Sequence, residues 1–196
     1  MEKIVLASNN QGKLREMNQI LRPAALEVLA LSDFTDIEAE ETGLTFVENA
    51  IIKARHACQA SGLAAIADDS GLEVQALQGA PGIYSARYAG PGTDDKKNLE
   101  KLLDALKDVP DDHRQARFQC LMVYMRHALD PVPIIVQGTW EGTITHEPRG
   151  NNGFGYDPVF FVPEKNCTSA QLDADTKNSM SHRGKALSKL VKAIGH

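Results

Sequence analysis

The spacing of apolar residues predicts strands and helices in turn along the first part of the chain. Ile4–Ala7 is a short, wholly apolar run, which is typical of a buried strand. Apolar residues then recur at helical spacing from Leu14, and Pro23 ends that helix. Leu26–Leu31 predicts a second strand, and the acidic stretch Asp33–Glu41 predicts a loop.

A second helix and strand follow this loop. Thr45 and Glu48 form a capping-box pattern ahead of an apolar helical face, and Gly62 suits the end of that helix. Ala64–Ala67 predicts a short buried strand that ends at the polar segment Asp68–Gly71. We therefore expect two carboxylates at the end of a strand.

The rest of the chain mixes strands and helices. We expect a half-buried strand at Leu72–Ala76, an ordered Gly- and Pro-rich loop at Gly79–Gly92 and a helix at Leu99–Leu106. Three strands should follow, at Arg117–Arg126, Ile134–Trp140 and Gly142–His146, and a final helix at Leu187–Ile194. Because strands and helices do not alternate strictly, the pattern predicts an α/β fold with a mixed β-sheet.

Length and composition fit an ordinary globular protein. The 196 residues suffice for one domain with a real core, or for two closely fused lobes, and we expect a single domain over residues 1–196. A net charge of −5 disfavours binding to a nucleic-acid backbone, which needs many Lys and Arg contacts. A local basic pocket can still bind one small polyanion, especially together with a metal ion.

The chain carries no signal for export or for a membrane. No apolar run approaches membrane length, and the N-terminus lacks a basic segment followed by an apolar stretch. Cys58, Cys120 and Cys167 are widely spaced and show no CxxC pairing, and Cys58 and Cys120 fall among apolar positions, which favours buried free thiols over a redox role. We expect a cytoplasmic protein without a membrane partner.

The first candidate site is the polar loop between the first strand and the first helix. It consists of Ser8, Asn9, Asn10, Gln11, Gly12 and Lys13. Backbone N–H groups at a helix start, together with the charge of Lys13, suit a phosphate ester. The loop is not of the Walker type, because position 7 is Ala and Leu14 follows Lys13. The alternative is a solvated turn whose Asn caps the helix.

The second candidate site is acidic. Asp68 and Asp69 are expensive to bury without a cation, and carboxylate oxygens suit Mg²⁺. One carboxylate can also take a proton from an attacking water molecule. The alternative is a structural turn with glycine at a positive φ angle. Glu40 and Glu41 offer further ligands, of which we favour Glu41, although such a pair also suits a solvated loop.

Lys53 lies one helical turn after Asn49, so the two side chains share a helix face. They can project toward the acidic residues or lie on an exposed helix surface. Both possibilities remain open from this segment alone.

The third candidate site is a glycine-rich segment, Gly150–Pro158. Phe154 can stack on a flat base, and Asp157 can bind the polar edge of that base. The alternative is a tight turn with an aromatic residue in the core.

The fourth candidate site combines Lys177 with Ser181–Gly184, just before the last helix. Arg and His oppose the helix dipole at a helix start, which indicates a functional role. Arg183 donates hydrogen bonds and cannot accept them, so it favours a base that carries a carbonyl oxygen. His182 alone is also compatible with a structural role.

Together these segments resemble the inosine triphosphate pyrophosphatase family, the non-canonical purine nucleoside triphosphate pyrophosphatases, and its bacterial members in particular. The resemblance covers the whole chain. Its elements are Ser8-x-Asn10-x-x-Lys13, Glu41–Gly43, Glu48–Ala50, Asp68–Gly71, Gly82–Arg87, Phe154–Pro158 and Ser181–Arg183.

The resemblance implies Mg²⁺-dependent hydrolysis of inosine and xanthosine triphosphates, in ribo and deoxy form, to the monophosphate and pyrophosphate. It also implies a homodimer and an elongated α/β fold of two lobes around a mixed sheet, with the nucleotide in the cleft. Carried over by position, the first loop holds phosphate, and Asp69 binds the metal and acts as the base. The expected nucleotide contacts are Lys53, Ser70, Phe154, Gly155, Tyr156, Asp157, Lys177, His182 and Arg183.

Two other functions remain open. One is a pyrophosphatase for modified pyrimidine nucleotides, as in the related Maf-type proteins. The other is a nucleotide-binding sensor without catalysis, which would need the pocket but not the acidic pair Asp68 and Asp69. The role of the Gly79–Gly92 loop also stays open.

Overall fold

The structure, a computed structural model, describes residues 2–8, 15, 17–18 and 26–195. Residues 9–13 of the polar loop lie outside the described residues, as does most of the helix expected from Leu14. Of that helix, Arg15, Met17 and Asn18 are described, and they are helical. No helix in the described part of the chain is long and apolar enough to cross a membrane.

Strands and helices together form an α/β fold. The described strands are β1 Glu2–Leu6, β2 Leu26–Ala30, β3 Ala64–Val74, β4 Gln115–Met125, β5 Ile134–Ile144, β6 Phe160–Val162 and β7 Cys167–Thr168. The described helices are α1 Phe46–Ser61, α2 Asp95–Ala105, α3 Ala174–Met180 and α4 His182–Ile194.

The sheet is mixed, as the irregular order of elements predicts. Its strand order is β2-β1-β3-β4-β5-β6-β7. Strand β1 pairs in parallel with both β2 and β3, whereas β6 pairs antiparallel with β5 and β7. The predicted fold class is therefore confirmed.

The chain folds into two compact units. The first contains the described residues of Met1–Asp69, Cys120–Gly138 and Arg183–His196, and the second contains Ser70–Gln119 and Thr139–His182. Each unit has its own core: the first packs α1 and α4 on the sheet, and the second packs α2 on it.

The first unit has one hydrophobic cluster on each side of β3. Ala65 and Ala67 pack with the alanines of α1, whereas Ile66 packs with Leu187 and Leu190 of α4. Successive side chains of a strand point to opposite faces, so this alternation assigns α1 and α4 to opposite faces of β3.

Two predicted breaks in the strands are wrong. We expected a strand end or turn at Asp68–Gly71, with a separate strand after it, but β3 runs without interruption from Ala64 to Val74. β3 lies between β1 and β4 in the sheet, and the extended conformation that strand pairing favours outweighs the local turn preference of Asp-Ser-Gly. Likewise, β5 runs without interruption from Ile134 to Ile144 and includes Glu141, where we expected a gap between two strands.

The close packing of β5 against β6 explains why position 142 is a glycine. A Cβ atom there would collide with the carbonyl oxygen of Phe161 and would lie 2.7 Å from the ring of Phe160. Glycine thus allows β6 to approach β5, and it does so without ending the strand.

Sequence reasoning missed three short elements, namely β6, β7 and α3. The prediction of buried free thiols at Cys58 and Cys120 is confirmed.

Candidate active site

Two acidic residues of the first unit, Glu41 and Asp69, meet around one lysine. The Nζ atom of Lys53 lies 2.7 Å from Oδ1 of Asp69 and 3.0 Å from Oε1 of Glu41. The side chain of Lys53 is 14% exposed and that of Asp69 is 10% exposed. Of the two arrangements left open by the sequence, Lys53 adopts the one directed at the acidic residues. Glu40 is exposed.

Helix α1 positions Lys53 because both ends of the helix are fixed locally. Oγ1 of Thr45 accepts a hydrogen bond from the N–H of Glu48, and the Glu48 carboxylate accepts from the Thr45 hydroxyl and the N–H of Leu44. Gly62 ends the helix in the left-handed conformation, with a φ angle of 70°. Both signals were predicted from the sequence and are confirmed.

The cluster keeps Lys53 charged. Burial lowers the pKa of its ammonium group, but the negative charges of Asp69, Asp68 and Glu41 outweigh burial and raise the pKa above its usual value. Lys53 is therefore a permanent cation over the physiological pH range.

The chemistry of this cluster suits a divalent cation. The carboxylates of Glu41 and Asp69 already converge on one positive centre, and they supply only oxygen donors, as Mg²⁺ prefers. Among the described residues, no group of three or more His, Cys, Asp or Glu side chains is arranged to hold a metal ion.

Asp68 and Asp69 meet different partners. Asp69 lies on the α1 face of β3, with Ala65 and Ala67, and Asp68 lies on the α4 face, with Ile66. Oδ2 of Asp68 is 3.5 Å from Nε of Arg183, and both side chains are buried. The structure thus gives Asp68, which we expected as a metal ligand, an arginine partner.

Other predicted residues of the first unit are placed as follows. Ser8 is half-buried, and its N–H donates to the carbonyl oxygen of Leu6 at 2.9 Å. Arg183 lies in the first turn of α4 and is 3% exposed.

In the second unit, Asp157 organises the glycine-rich segment. Its carboxylate accepts hydrogen bonds from Lys177 Nζ at 2.7 Å, from Ser169 Oγ at 2.8 Å and from the N–H of Phe154 at 2.8 Å. Asp157 and Lys177 are both buried, so this ion pair has little competition from water. These bonds fix the loop conformation on which Phe154 is presented.

Lys177 also approaches an aromatic ring. Its Nζ atom lies 5.1 Å from the ring centroid of Phe154, within range of a cation–π interaction. Gly153 makes this approach possible, because a Cβ atom there would collide with the Asp157 carboxylate and lie 3.1 Å from Lys177 Nζ. Three predicted nucleotide contacts, Phe154, Asp157 and Lys177, thus come together.

Tyr156 and Gly155 anchor the same loop. The hydroxyl of Tyr156 donates to the carbonyl oxygen of Ser85 at 2.8 Å, and burial raises the pKa of this tyrosine. The N–H of Gly155 donates to Oδ2 of Asp95, in the first turn of α2.

His182 and Ser70 are the remaining predicted contacts of the second unit. The His182 ring stacks on Phe118, with centroids 4.7 Å apart and an interplanar angle of 13°, and is 6% exposed. Ser70 is half-buried within β3.

Sequence reasoning missed Ser169, and it left two directions open for Asn49. Ser169 has no local signal, because it bonds Asp157 from twelve residues away. Asn49 shares a helix face with Lys53 and, like Lys53, is directed at the acidic residues: its Nδ2 atom donates to Asp69.

The fold and the site together define an α/β protein with a mixed sheet, in which Lys53 joins Asp69 of β3 to Glu41 of the segment before α1. The chain belongs to the Ham1 family, whose model matches residues 4–193. This agrees with the resemblance seen in the motifs.

Similar proteins cover the chain almost completely. It is 63% identical to a dITP/XTP pyrophosphatase of Vibrio cholerae, over 99% of this chain and 97% of the relative. It is 57% identical to a dITP/XTP pyrophosphatase of Escherichia coli K12, over 99% and 98%. The solved structure of a HAM1 protein from Coxiella burnetii matches with a TM-score of 0.92 at 50% identity, over 100% of this chain and 99% of that one.

Proposed function

We propose that this protein hydrolyses non-canonical purine nucleoside triphosphates, ITP, dITP, XTP and dXTP, to the monophosphate and pyrophosphate. The observation that carries the proposal is the cluster of Glu41, Lys53 and Asp69, in a chain with full-length relatives of 57–63% identity named dITP/XTP pyrophosphatases. Such an enzyme removes deaminated purine nucleotides from the cytoplasmic pool.

Glu41 and Asp69 are the proposed ligands of Mg²⁺, and Glu40 and Asp68 are weaker candidates. When bound, Mg²⁺ supplies positive charge that neutralises phosphate oxygens. The support for Glu41 over Glu40 is its contact with Lys53, since Glu40 is exposed. Lys53 keeps the two carboxylates close together without a metal ion.

Hydrolysis requires a base for water and cations for the phosphates. In our proposal, Asp69 accepts a proton from the water that attacks the α-phosphorus. The bond from the α-phosphorus to the bridging oxygen breaks, and pyrophosphate leaves with the bonding electrons. Lys53 and the loop Ser8–Lys13, Lys13 above all, offset the charge on the phosphate oxygens.

At the base end, Phe154 stacks on the purine, and Gly155, Tyr156, Asp157 and Lys177 complete its surroundings. The hydrogen bonds of Asp157 to Lys177 and to the N–H of Phe154 support this role, because they hold the ring in one place.

Arg183 and His182 are the proposed donors to a carbonyl oxygen on the base, and Ser70 is a further contact with the nucleotide. An amino group at that position, as in ATP, would face Arg183 donor to donor. Leaving a buried donor unpaired costs about 1–3 kcal/mol, or roughly tenfold to a hundredfold in preference per contact. Several such contacts would protect abundant ATP.

We also propose a homodimer, which the family resemblance implies. The mass in solution, measured by light scattering, tests this point independently of activity.

The deciding experiment measures pyrophosphate release from ITP, XTP, dUTP and ATP, with and without Mg²⁺. We expect release from ITP and XTP only, dependent on Mg²⁺. Preference for dUTP would indicate a pyrimidine-directed enzyme, and nucleotide binding without release would indicate a sensor. Asp69→Asn serves as the inactive control.

A further inference from the structure

Asn49 is a buried amide with both ends engaged. It is fully buried in the fourth position of α1. Its Oδ1 atom accepts a hydrogen bond from the N–H of Gly43 at 2.9 Å, and its Nδ2 atom donates to Oδ2 of Asp69 at 3.4 Å. One side chain thus joins the segment that carries Glu41 to the strand that carries Asp69.

These partners fix the orientation of the amide. The N–H of Gly43 can only donate, and the ionised carboxylate of Asp69 can only accept. A flipped amide would set donor against donor and oxygen against oxygen. Asn49 therefore has one complementary orientation, in which its NH₂ group faces Asp69.

Gly43 lies in direct contact with α1. A Cβ atom on Gly43 would lie 2.6 Å from Cβ of Glu48 and 2.7 Å from Oδ1 of Asn49. The segment Glu41–Gly43 therefore rests on the first turns of α1, with no room for a side chain between them. This close contact fixes where the backbone of Glu41 lies.

The two oxygens of Asp69 have separate partners. Oδ2 faces Asn49, and Oδ1 faces Lys53 at 2.7 Å. Because Asn49 restrains one oxygen, the rotation of the carboxylate is fixed, and Oδ1 stays directed at the positive centre that Glu41 shares.

We propose that Asn49 is a positioning residue that holds Glu41 and Asp69 in one geometry for hydrolysis. The proposal rests on the proposed function. The structure describes all residues of α1, and five of them are buried. The four besides Asn49 are Ala50, Ala54, Ala57 and Cys58, so the helix packs through small side chains and does not need an amide for packing alone.

The chain offers a matched control in Asn98. It is also a buried asparagine in the fourth position of its helix, α2. In both helices the backbone N–H of the asparagine donates to the carbonyl oxygen of the N-cap residue at 3.2 Å. Its amide accepts from the N–H of Ala89 at 2.8 Å and donates to the carbonyl oxygen of Ala86 at 3.1 Å. Asn98 thus ties a segment to a helix without contacting a carboxylate.

The test compares Asn49→Leu with Asn98→Leu, since Leu approximates the shape of Asn. We measure kcat and KM for dITP, the thermal midpoint, and the exchange rate of the Gly43 amide proton by NMR. A displacement of about 1 Å at a catalytic group can cost about 10²-fold in rate. For Asn49→Leu we expect a loss of kcat of about that size, with KM changed less than about threefold and faster exchange at Gly43. For Asn98→Leu we expect a similar fall in thermal midpoint with kcat nearly unchanged.

Asn49→Asp covers the case in which Asn49→Leu does not fold. It keeps the acceptor for the N–H of Gly43 but places an oxygen against Asp69. We expect Gly43 exchange to stay slow while kcat falls. Equal kcat losses in the Asn49 and Asn98 variants, or an unchanged kcat in Asn49→Asp, would overturn the proposal. If the wild-type protein does not hydrolyse dITP, the proposed function fails, whereas Gly43 exchange still reports whether Asn49 holds the segment.

Discussion

Asp68 and Asp69 are joined by one peptide bond, yet each meets a different cation on a different face of β3. Asp69 pairs with Lys53 of α1, and Asp68 lies 3.5 Å from Arg183 of α4. The two carboxylates therefore have separate roles, and their substitution should affect different properties of the protein, turnover in one case and stability in the other.

Asp69→Asn should reduce turnover of dITP by about 10³-fold, since it removes the proposed base and one charge of the cation cluster. Asp68→Asn should instead reduce the free energy of unfolding by about 3 kcal/mol, because it removes the buried negative charge that faces Arg183. Steady-state kinetics and denaturant unfolding measure the two effects. If Asp68→Asn abolishes turnover while stability is unchanged, the division of roles is wrong.

Lys53→Met should make the protein depend on Mg²⁺ for stability. Without the ammonium group, the carboxylates of Glu41 and Asp69 repel each other until a divalent ion joins them. Binding at a concentration 100 times the dissociation constant adds about 2.7 kcal/mol. Thermal melts with Mg²⁺ and with a chelator should show a larger difference for this variant than for wild type.

Lys189→Met is the control for Lys53→Met. In the wild-type protein, the Nζ atom of Lys189 donates to the carbonyl oxygen of Gln137 at an exposed position and not to a carboxylate. Its melts should respond to Mg²⁺ as those of wild type do. An equal response in all three proteins would show that Lys53 and the divalent ion do not share the same carboxylates.

Gly153→Ala should damage the loop of Phe154 far more than Gly155→Ala. Both glycines have positive φ angles, 78° and 62°, so both variants carry backbone strain of about 1–2 kcal/mol. Only at position 153 does the added Cβ meet other atoms, those of Asp157 and Lys177, whereas none lies within 4 Å at 155. We expect KM for dITP to rise at least about tenfold in Gly153→Ala alone. Similar KM values in both variants would argue against this role for the loop.

Asp130→Asn should weaken the β4–β5 hairpin in a pH-dependent manner. Hydrogen bonds from Arg126, followed by those from backbone N–H groups, lower the pKa of Asp130 well below its usual value. A lowered pKa means that the carboxylate stabilises the fold above pH 4 and that this contribution disappears on acidification. The difference in thermal midpoint between variant and wild type should therefore shrink from about pH 5 downward. A difference that stays constant with pH would exclude a role for the charge.

The elements with local signals could be predicted from the sequence. The capping pair Thr45 and Glu48 and the terminal Gly62 define α1, because a helix end depends on residues within one turn. The breaks predicted at Asp68–Gly71 and at Glu141 are wrong because the conformation of these segments depends on distant neighbours. In β3 and β5, pairing with adjacent strands keeps the chain extended through them.

The candidate site could be predicted in its residue types but not in its pairings. The acidic residues and Lys53 were recognisable because buried charges require opposite charges. The hydrogen bond between Asp157 and Ser169 depends on how the second unit packs its loop. The contact of Asp68 with Arg183 depends on the face of β3 to which each residue points. Neither is encoded by spacing alone.

The uninterrupted course of β3 also restricts how this family can vary in length. Inserting or deleting one residue between Ala64 and Asp68 would exchange the faces of the two carboxylates, turning Asp69 to the face of Arg183 and Asp68 to the face of Lys53. Surface loops accept such changes in length. In this strand, a change of one residue would turn the buried side chains that follow it to the opposite face of the sheet. In homologous sequences aligned to this one, gaps should therefore be absent from Ala64–Asp69, however much the loops on either side differ.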